Sequence, residues 1–368
     1  MLKVGLTLTP SVLAAMGALG LLRDDGDIAV TRYGADSPEL APFAPYDRPP
    51  FDQNPIRSPF ARRTGWVREF SGPVSAEYRT GFLYRGLRLI RGSWDGIYPP
   101  HHYAKTSPLT HWRRRQRIGA GIMLTGIWHE NYYHFLCDFV PKIPVVERSR
   151  LPTTIPYVVK ESLQHRRYFA EAQALGLFGE RPVVFHKPRH WLEAERLFTV
   201  YPDRLPGAAD GFVAGRLGAR PDPRGRRRLF VSRNVATGTA RGIRNEPALI
   251  PGLVSRGFEI VDPGSWPLKE QIERFSQASV VVGPHGAGLT NIVFRAGAPL
   301  ALVEIISSSK VWRHHFYEMC SHHGYFYRPV LGPSTNPADE NAPFDADVDA
   351  TFAAIDEALA WEEQRYSA

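Results

Sequence analysis

The second half of the chain alternates between strand patterns and helix patterns, and this alternation constrains the fold more than any other feature. The apolar runs "LFVSR", "FEIVDP", "SVVVG" and "LALVEII" are separated by segments with helical spacing, such as "LKEQIERFSQA". Repetition of strand, helix and strand is typical of a parallel sheet, because each helix returns the chain to the edge where the next strand begins. We therefore predict a doubly wound α/β domain in this half.

The first half carries a similar but less regular alternation. "IPYVVK", "RPVVFHK" and "RLFTVY" indicate strands, and "SLQHRRYFAEAQALGLF" indicates a helix. Upstream, "GWVREFSGPVSAEYRTGFLYRGLRLI" alternates aromatic residues, valines and arginines, which predicts short antiparallel strands. The expected organisation is an N-terminal helix with a proline-rich wrapping segment (1–60), a Rossmann-like domain (61–205), a second Rossmann-like domain (206–345) and a C-terminal helix (346–368).

Composition excludes several classes of protein. The 368 residues are 43% hydrophobic and 22% charged, with a net charge of +8 and two cysteines. Two cysteines cannot form a disulfide framework or a four-cysteine zinc site, and they favour a reducing compartment. The positive charge favours an anionic partner. The basic runs "HWRRRQR" and "RGRRR" lack a nucleic-acid reader motif, so we expect no nucleic-acid partner.

The segment Val4–Leu22 is nearly uncharged. It is marginal in length for a membrane span, contains Pro10, and lacks the small-residue cleavage site of a signal peptide. We expect a buried or membrane-surface helix here, with a membrane anchor as the alternative.

The stretch "VVVGPHGAGLTN" is the best candidate for a ligand-binding loop. It predicts a strand that ends in small residues at the carboxyl edge of a parallel sheet, where such sheets bind ligands. Gly286 and Gly288 would let a ligand approach the backbone, and the start of the next helix suits a phosphate. His285 could donate to that phosphate or to a sugar hydroxyl. The alternative is a tight strand-to-helix turn with a capping histidine.

Two arginines precede this loop in the chain. Arg233 ends the predicted strand "LFVSR", and Arg241 follows eight residues later. Because a planar guanidinium matches phosphate oxygens, the two could clamp a diphosphate. Taken singly, each arginine could equally be a solvated surface residue.

The segment "WHENYYHFLCDF" offers a candidate general base. If it is helical, Asn131, His134 and Asp138 are three and four residues apart and share a face. Asp138 could orient His134 as a base, or Asp138 could itself be the base. The histidine is favoured because its unperturbed pKa lies nearer neutrality. His129 and Glu130 could belong to the site or to the helix cap. A solvent-facing helix or a pair buried for packing is the alternative.

Metal chemistry has weak support in the sequence. Two Asp-x-Asp pairs could bridge a cation to a nucleotide, Asp25 with Asp27 and Asp345 with Asp347. Neither pair follows a convincing strand end of a nucleotide-binding domain, so we expect a site that works without a metal.

Taken together, "NYYHFLCDFVP", "LFVSR…ARGIRNE" and "EQIERFSQASVVVGPHGAGLTNIVFRAGAPLALVEI" resemble glycosyltransferase family 61, over roughly Gly119 to Ile306. The family includes plant xylosyl- and arabinosyltransferases, animal O-linked N-acetylglucosaminyltransferases and bacterial proteins of capsular polysaccharide biosynthesis. The resemblance implies a GT-B-like fold with two Rossmann-like domains facing across a cleft. It also implies inversion at the anomeric carbon and, usually, no metal.

The resemblance also implies roles for individual residues. Those matching the motif of the first domain, which we predict as catalytic, are Asn131, His134 and Asp138. Those predicted to bind the donor are Ser232, Arg233, Arg241, His285, Gly286, Ala287, Gly288, Thr290, Asn291 and Glu304. Asn245 matches the family's arginine–asparagine stretch, which lies downstream of the serine–arginine end of the predicted strand "LFVSR". Gly242 departs from the pattern, since relatives often carry a second basic residue there.

The sequence thus predicts an inverting glycosyltransferase that needs no cofactor besides its co-substrate, a nucleotide-sugar that we expect to be UDP-linked. The expected acceptor is a glycan or a lipid-linked glycan in bacterial capsular or surface polysaccharide biosynthesis. We expect a cytoplasmic enzyme, with attachment to the inner face of the cytoplasmic membrane left open. The alternative is a non-catalytic glycan- or nucleotide-binding protein on the same fold.

Overall fold

The computed structural model describes residues 22–23, 30–33, 40–43, 60–62, 65–86, 88–90, 93, 114–126, 128–203, 208–233, 241–309, 314–339 and 341–367. The chain forms two compact units. Unit 1 comprises Met1–Glu39 and Arg63–Arg204, and unit 2 comprises Leu40–Arg62 and Leu205–Ala368. The helix predicted at Val4–Leu22 lies outside the described residues except for its last position, and so do Asp25 and Asp27.

Unit 1 is built around a mixed sheet. Its described strands are β1 (Leu22–Arg23), β2 (Val30–Tyr33), β5 (Trp66–Ala76), β6 (Leu83–Arg85), β7 (Arg88–Ile90), β8 (Arg115–Met123), β9 (Tyr157–Lys160), β10 (Val183–His186) and β11 (Trp191–Tyr201). The order is β1-β7-β6-β5-β11-β8-β9-β10, with β2 beside β5. Strands β11, β8, β9 and β10 are parallel, whereas β5 is antiparallel to β11.

The antiparallel part explains why unit 1 differs from the doubly wound parallel domain predicted for it. Strands β5, β6 and β7 come from the aromatic- and arginine-rich segment, which does form antiparallel pairs as predicted. They extend the same sheet, because short hairpins can add strands without crossover helices. The described helices of unit 1 are α1 (Tyr132–His134), a π-helical turn (Phe135–Phe139), α2 (Lys142–Arg148), a 3-10 helix (Glu161–His165) and α3 (Arg167–Ala174).

Unit 2 contains the parallel sheet that the sequence predicts. Its described strands are β3 (Leu40–Phe43), β4 (Phe60–Arg62), β12 (Arg227–Val231), β13 (Phe258–Val261), β14 (Ala278–Pro284), β15 (Ala301–Ser307) and β16 (Phe326–Gly332). Its described helices are α4 (Ala208–Arg216), α5 (Glu246–Ser255), α6 (Leu268–Ser276), α7 (His315–His323), α8 (Val348–Ser367) and 3-10 helices at Pro263–Ser265 and Ala287–Arg295. Strands β12 to β16 form a five-stranded parallel sheet in the order β13-β12-β14-β15-β16. This is a doubly wound, Rossmann-like arrangement.

The core of unit 2 covers both faces of this sheet. All seven residues of β14 are buried, as expected for a central parallel strand. On one face, Leu249 and Leu253 of α5 and Ile355 of α8 pack against alternate strand residues. The predicted C-terminal helix is α8, and it belongs to this core. In the proline-rich segment, β3 and β4 pair antiparallel in a two-stranded sheet.

Within the described parts of the chain, no helix combines the length and the apolar content that a membrane crossing requires.

Candidate active site

The strand order of unit 2 creates a switch point at the carboxyl ends of β12 and β14. These two strands are neighbours, but the chain leaves β12 toward β13 on one side and leaves β14 toward β15 on the other. The loops that follow them therefore diverge and leave a crevice, which is where doubly wound sheets bind ligands. Ser232 and Arg233 follow β12, and His285 and Gly286 follow β14.

The Arg233 guanidinium lies directly on the glycine loop. Its Nη1 donates to the carbonyl oxygen of His285 at 2.8 Å. A Cβ atom added at Gly286 would lie 2.3 Å from that Nη1. The backbone of Gly286 is extended, with φ at 168°, so any residue could adopt it. Glycine is needed at this position because the guanidinium occupies the side-chain space. Gly288 is similarly tight, since a Cβ there would lie 2.9 Å from Cγ1 of Val231.

Arg241 reaches the same edge through a strained backbone. Its φ is +59°, in the left-handed region that non-glycine residues rarely adopt. Its N–H donates to Asn341 O at 3.0 Å, and the Phe344 N–H donates to Gly242 O at 3.2 Å. Asn245 adds two more hydrogen bonds between the same two segments. Its Oδ1 accepts from the Ala346 N–H at 2.8 Å, and its Nδ2 donates to Ala346 O at 2.9 Å. The structure thus uses Asn245 to hold the Arg241 segment in place.

The two arginines influence each other electrostatically. Burial, and then the like charge of Arg241, lowers the pKa of Arg233. Two cations held at one strand edge repel each other, and an anion bound there would relieve the repulsion. The geometry favours a phosphate or diphosphate ligand at this edge.

His285 is oriented by a buried carboxylate. Its Nδ1 donates to Glu304 Oε1 at 2.5 Å, and the Tyr327 hydroxyl donates to Glu304 Oε2 at 2.6 Å. Glu304 is fully buried, so it supports the histidine from behind. Burial, and then Glu304, raises the pKa of Tyr327 well above its usual range, which keeps the phenol protonated. With Nδ1 engaged, Nε2 of His285 is the nitrogen left to meet a ligand.

The rest of the glycine loop is held from the interior. Ala287 is half-buried, whereas Thr290 and Asn291 are fully buried in the 3-10 helix that begins at Ala287. The Asn291 amide donates to Gln271 Oε1 at 3.0 Å and to Gly288 O at 3.2 Å. Asn291 therefore fastens the loop to α6.

Two carboxylates that the sequence analysis missed flank Ser232. The Ser232 hydroxyl donates to Glu246 Oε1 at 2.6 Å, and its N–H donates to Val261 O at 2.8 Å. Asp262, which follows Val261 in the chain, accepts from the Gly264 N–H at 3.0 Å through its Oδ1. Burial raises the pKa of Glu246, although the Ser232 hydrogen bond partly opposes this. The sequence did contain signals for both carboxylates. Glu246 is the last residue of the "ARGIRNE" stretch, and Asp262 directly follows a predicted strand.

Unit 1 carries the second group of predicted residues. His134 Nδ1 donates to Asp138 Oδ2 at 2.6 Å, and both side chains are 16% exposed. The segment is helical, but Phe135–Phe139 forms a π-helical turn, a distortion often found at functional sites. Asn131 is the exposed N-cap of α1, and its side chain accepts from the Tyr133 N–H at 2.9 Å.

The surface beside this pair is aromatic. Trp128 is 54% exposed, and its ring centroid lies 6.4 Å from that of His134. The Tyr133 ring also contacts the histidine, edge-on, with 5.2 Å between the ring centroids. A flat apolar ring next to a polar pair is suited to the apolar face of a sugar ring.

Two buried lysines that sequence reasoning missed hold the loop that follows β8. Lys160, the last residue of β9, donates to Gly126 O at 2.8 Å and to Arg79 O at 2.9 Å, and Lys142 donates to Leu124 O at 3.3 Å. Burial lowers the pKa of Lys160 to about 8. Burial, followed by Lys142 and Lys160, also lowers the pKa of His129 well below its usual value. His129 is therefore a buried neutral histidine.

The remaining sequence candidates have structural partners. Glu130 accepts from the Ser162 hydroxyl, and its carbonyl accepts from the Tyr168 hydroxyl at 2.7 Å. Asp345 accepts from Arg244, and Asp347 accepts from the Ala350 N–H at the start of α8. Across the residues that the structure describes, no three metal-ligating side chains cluster in a way that could hold a metal ion.

The structure therefore brings together two groups of predicted residues, His134 with Asp138 in unit 1 and Arg233 with His285 and Gly286 in unit 2. Comparison with known proteins adds the family. The chain has no significant match among curated proteins. Residues 132–300 match the sequence model of Glycosyltransferase 61, a stretch that includes both groups but stops short of Asn131 and Glu304. This match indicates glycosyltransferase activity. The match identifies residues 132–300 as a glycosyltransferase family 61 domain.

Proposed function

We propose that the chain is an inverting, metal-independent glycosyltransferase that moves a sugar from a UDP-linked donor to a glycan or lipid-linked glycan acceptor. The observation that carries the proposal is the Arg233 guanidinium lying across Gly286 at the switch point of unit 2. A fixed guanidinium, a second arginine and an oriented histidine form an anion site of the kind that a nucleoside diphosphate requires.

In this proposal, unit 2 stabilises the departing diphosphate. As the bond between the anomeric carbon and the phosphate oxygen breaks, negative charge accumulates on the diphosphate. Arg233 and Arg241 stabilise that charge, and Nε2 of His285 donates to it when the ring is protonated. Glu304 stabilises the protonated ring through Nδ1.

Unit 1 supplies the general base. The Nδ1–H of His134 donates a hydrogen bond to Asp138. In this tautomer Nε2 carries the lone pair that can accept a proton. The acceptor hydroxyl gives its proton to this nitrogen while its oxygen attacks the anomeric carbon opposite the leaving group, which inverts the configuration. Asp138 stabilises the imidazolium that forms. The exposed Trp128 ring beside His134 suits stacking on the acceptor sugar.

The same proposal includes a GT-B-like arrangement, a role in bacterial capsular or surface polysaccharide biosynthesis, and a cytoplasmic location at or near the inner face of the membrane. These parts rest on the family resemblance and on the net charge of +8, which suits acidic or phosphate-bearing substrates.

Nucleotide binding tests the proposal directly. Nucleoside diphosphates are screened by thermal shift, because a ligand that binds only the folded state raises the unfolding midpoint. We expect Arg233→Ala and Arg241→Ala each to weaken binding by about 1.5–3 kcal/mol, the range for a charge-assisted hydrogen bond. Arg224→Ala, an exposed arginine before β12, is the matched control and should bind normally.

Two outcomes would contradict the proposal. Unchanged binding in both arginine variants would remove the diphosphate from this edge. Nucleotide-sugar binding with neither transfer nor slow release of nucleoside diphosphate would favour a non-catalytic binding protein instead.

A further inference from the structure

The loop between β8 and α1 is held at two points, and Trp128 lies between them. At the first point, Lys160 Nζ donates to Gly126 O at 2.8 Å. At the second, the Ser162 hydroxyl donates to the Glu130 carboxylate. Both anchored residues are two positions from Trp128 in the chain. Their partners are also two residues apart, at the end of β9 and in the 3-10 helix that follows it. One short segment therefore fixes the backbone on both sides of this tryptophan.

Lys160 also ties the loop to the turn between β5 and β6. The same Nζ donates to Arg79 O at 2.9 Å. The Glu77 carboxylate closes that turn, because it accepts from the Arg79 N–H at 2.9 Å and from the N–H and hydroxyl of Thr80, both at 2.8 Å. Lys160 is 3% exposed. A single buried ammonium thus joins three segments that are distant in the sequence.

The anchored loop carries an exposed ring beside the proposed base. Trp128 is 54% exposed, and its ring centroid lies 6.4 Å from that of His134. The Asn131 N–H donates to Trp128 O at 2.9 Å, which joins the loop to the N-cap of α1. Fixing the backbone on both sides reduces the entropy that the tryptophan loses when it stacks on a ligand.

We propose that Lys160 is a positioning residue for the acceptor, since its buried ammonium holds the loop so that the Trp128 ring stays beside His134, where the acceptor sugar stacks. The role of the ring in acceptor binding rests on the proposed function. The link between Lys160 and the ring does not, because it can be measured without any substrate. Since an ammonium can lose its proton, the affinity for the acceptor depends on pH.

The elements around Lys160 set the pH at which it loses its charge. Burial lowers its pKa from 10.5 to about 8. Four charged groups also act on it, two carboxylates that raise the pKa and two cations that lower it, which are Glu130, Glu77, Arg79 and Lys142. The Tyr78 ring centroid lies 5.9 Å from Nζ. Two nearby histidines, His129 and His186, are neutral at this pH because burial lowers the pKa of each.

Loss of this charge weakens the anchor of the loop without lowering global stability. Below about pH 8 Lys160 donates as an ammonium, and above it a neutral amine makes weaker hydrogen bonds to the same carbonyl oxygens. Between pH 8 and 10.5 the unfolded chain binds more protons at this position than the folded chain does. The contribution of Lys160 to the free energy of unfolding therefore rises with pH, and an acceptor defect caused by its deprotonation is not an unfolding effect.

Fluorine NMR of the protein labelled with 5-fluorotryptophan tests the link to the ring. The Trp128 signal is identified by its loss in Trp128→Phe. In the wild type this signal should shift between pH 7 and 9.5 with a midpoint near pH 8. Lys160→Met has a side chain of similar length and no donor, so its signal should show no such step. Lys187→Met, which replaces an exposed lysine after β10, is the matched control and should titrate as the wild type does.

Acceptor kinetics test the consequence for the reaction. Methyl glycosides of the common pentoses and hexoses serve as acceptors, with the nucleotide-sugar that the wild type turns over. We expect the acceptor KM of the wild type to rise about tenfold from pH 7 to 9.5, the effect of one charge-assisted hydrogen bond. Lys160→Met should show the raised KM already at pH 7, with kcat unchanged and no further rise. Ser162→Ala, which removes the other anchor, should raise KM and keep the midpoint near pH 8.

The wild-type titration decides the proposal even if Lys160→Met does not fold. A Trp128 signal without a step near pH 8, or a step that persists in Lys160→Met, would overturn the positioning role. A step in the signal with an acceptor KM that is constant across this pH range would place the acceptor away from the ring and overturn the acceptor role. Absence of transfer by the wild type would overturn the proposed function, whereas the NMR titration would still decide whether Lys160 holds the ring.

Discussion

At the scale of single residues, the contact between Arg233 and Gly286 makes two positions depend on each other. The Gly286 backbone tolerates any residue, and only the guanidinium fills the side-chain space. The clash of a new Cβ would fall on the far end of a flexible arginine, which can move away at little cost to folding. The loss should therefore appear in ligand binding and not in stability.

We expect Gly286→Ala to weaken diphosphate binding about as much as Arg233→Ala, by about 1.5–3 kcal/mol. Because both changes remove the same guanidinium contact, the double variant should lose little more than either single variant. Calorimetric titration of the two single variants and the double variant measures this coupling. Gly215→Ala is the control, since a Cβ there meets nothing within 4 Å. Additive losses in the double variant would show that the two residues act independently.

The sequence indicated which residues form the glycine loop and its arginine partner, but it did not indicate the role of each residue. His285, Gly286 and Arg233 were predicted at one edge because parallel strands end together. Their roles depend on side-chain packing between distant segments, such as the 52 residues that separate Arg233 from His285. Neither spacing nor periodicity carries that information. The same limit applies to Glu304, which the sequence grouped with donor-binding residues and the structure buries behind His285.

At the scale of elements, the positions of the helices were predictable and their types were not. The segment after β14 was predicted as a helix of ordinary type, but Ala287–Arg295 is a 3-10 helix. Its residues from Leu289 to Arg295 are all buried, so no polar face sets a helical period. Even Arg295 is inside, where it donates to Pro299 O and Ser276 O. The π-helical turn in unit 1 was missed for a related reason, since local widening leaves the apolar spacing nearly unchanged.

Strand β10 carries a histidine that should make unit 1 sensitive to acid. His186 is fully buried, its Nε2 donates to His190 O at 2.9 Å, and its Nδ1 has no partner within the described residues. Burial lowers the pKa of His186 to about 4 from its ordinary value of 6.5. Between these pH values the unfolded chain binds more protons than the folded chain, so the free energy of unfolding falls as the pH falls.

We expect His186 to cost about 3 kcal/mol of stability by pH 4, relative to pH 7, with most of the loss below pH 6.5. Urea unfolding of the wild type and of His186→Gln across pH 4 to 7 measures this, because the variant should lose stability less steeply. His165→Gln, an exposed histidine in the 3-10 helix before α3, should follow the wild type. Parallel curves for the wild type and His186→Gln would show that His186 titrates normally.

At the scale of the whole molecule, the doubly wound fold of the second half was the most predictable feature. The apolar runs and the helices between them in that half correspond to the sheet of unit 2 and its covering helices. Which segments of the chain belong to which unit was less predictable. Residues 40–62 belong with unit 2 although they precede most of unit 1 in the chain, because their contacts are distant in sequence. Local patterns cannot report such contacts.

The response of the whole enzyme to chelation tests the prediction of metal independence. Within the described residues, Asp345 is paired with Arg244 and Asp347 holds the start of α8. We therefore expect turnover in excess EDTA to equal turnover in untreated enzyme. Loss of activity on chelation, restored by Mn²⁺, would show that the reaction uses a cation and would direct attention to Asp25 and Asp27.

The division of labour between the two units gives the last prediction. We propose that unit 2 binds the nucleotide and that the His134–Asp138 pair of unit 1 takes the proton. Loss of a general base typically reduces the rate about 10²- to 10⁴-fold. We expect His134→Ala to fall in that range. Asp138→Asn should do the same, because an asparagine amide would favour the wrong imidazole tautomer.

Transfer rate and nucleotide affinity are measured on the same preparations, with the exposed His165→Ala as the control. Both variants should bind the nucleoside diphosphate as the wild type does and keep its unfolding midpoint. Near-normal transfer in both would place the base elsewhere, and a neutral, buried His129 makes that residue a poor replacement. Loss of nucleotide binding or of folding in both would instead make the pair structural. A rate defect with intact binding is the outcome that separates a base from either alternative.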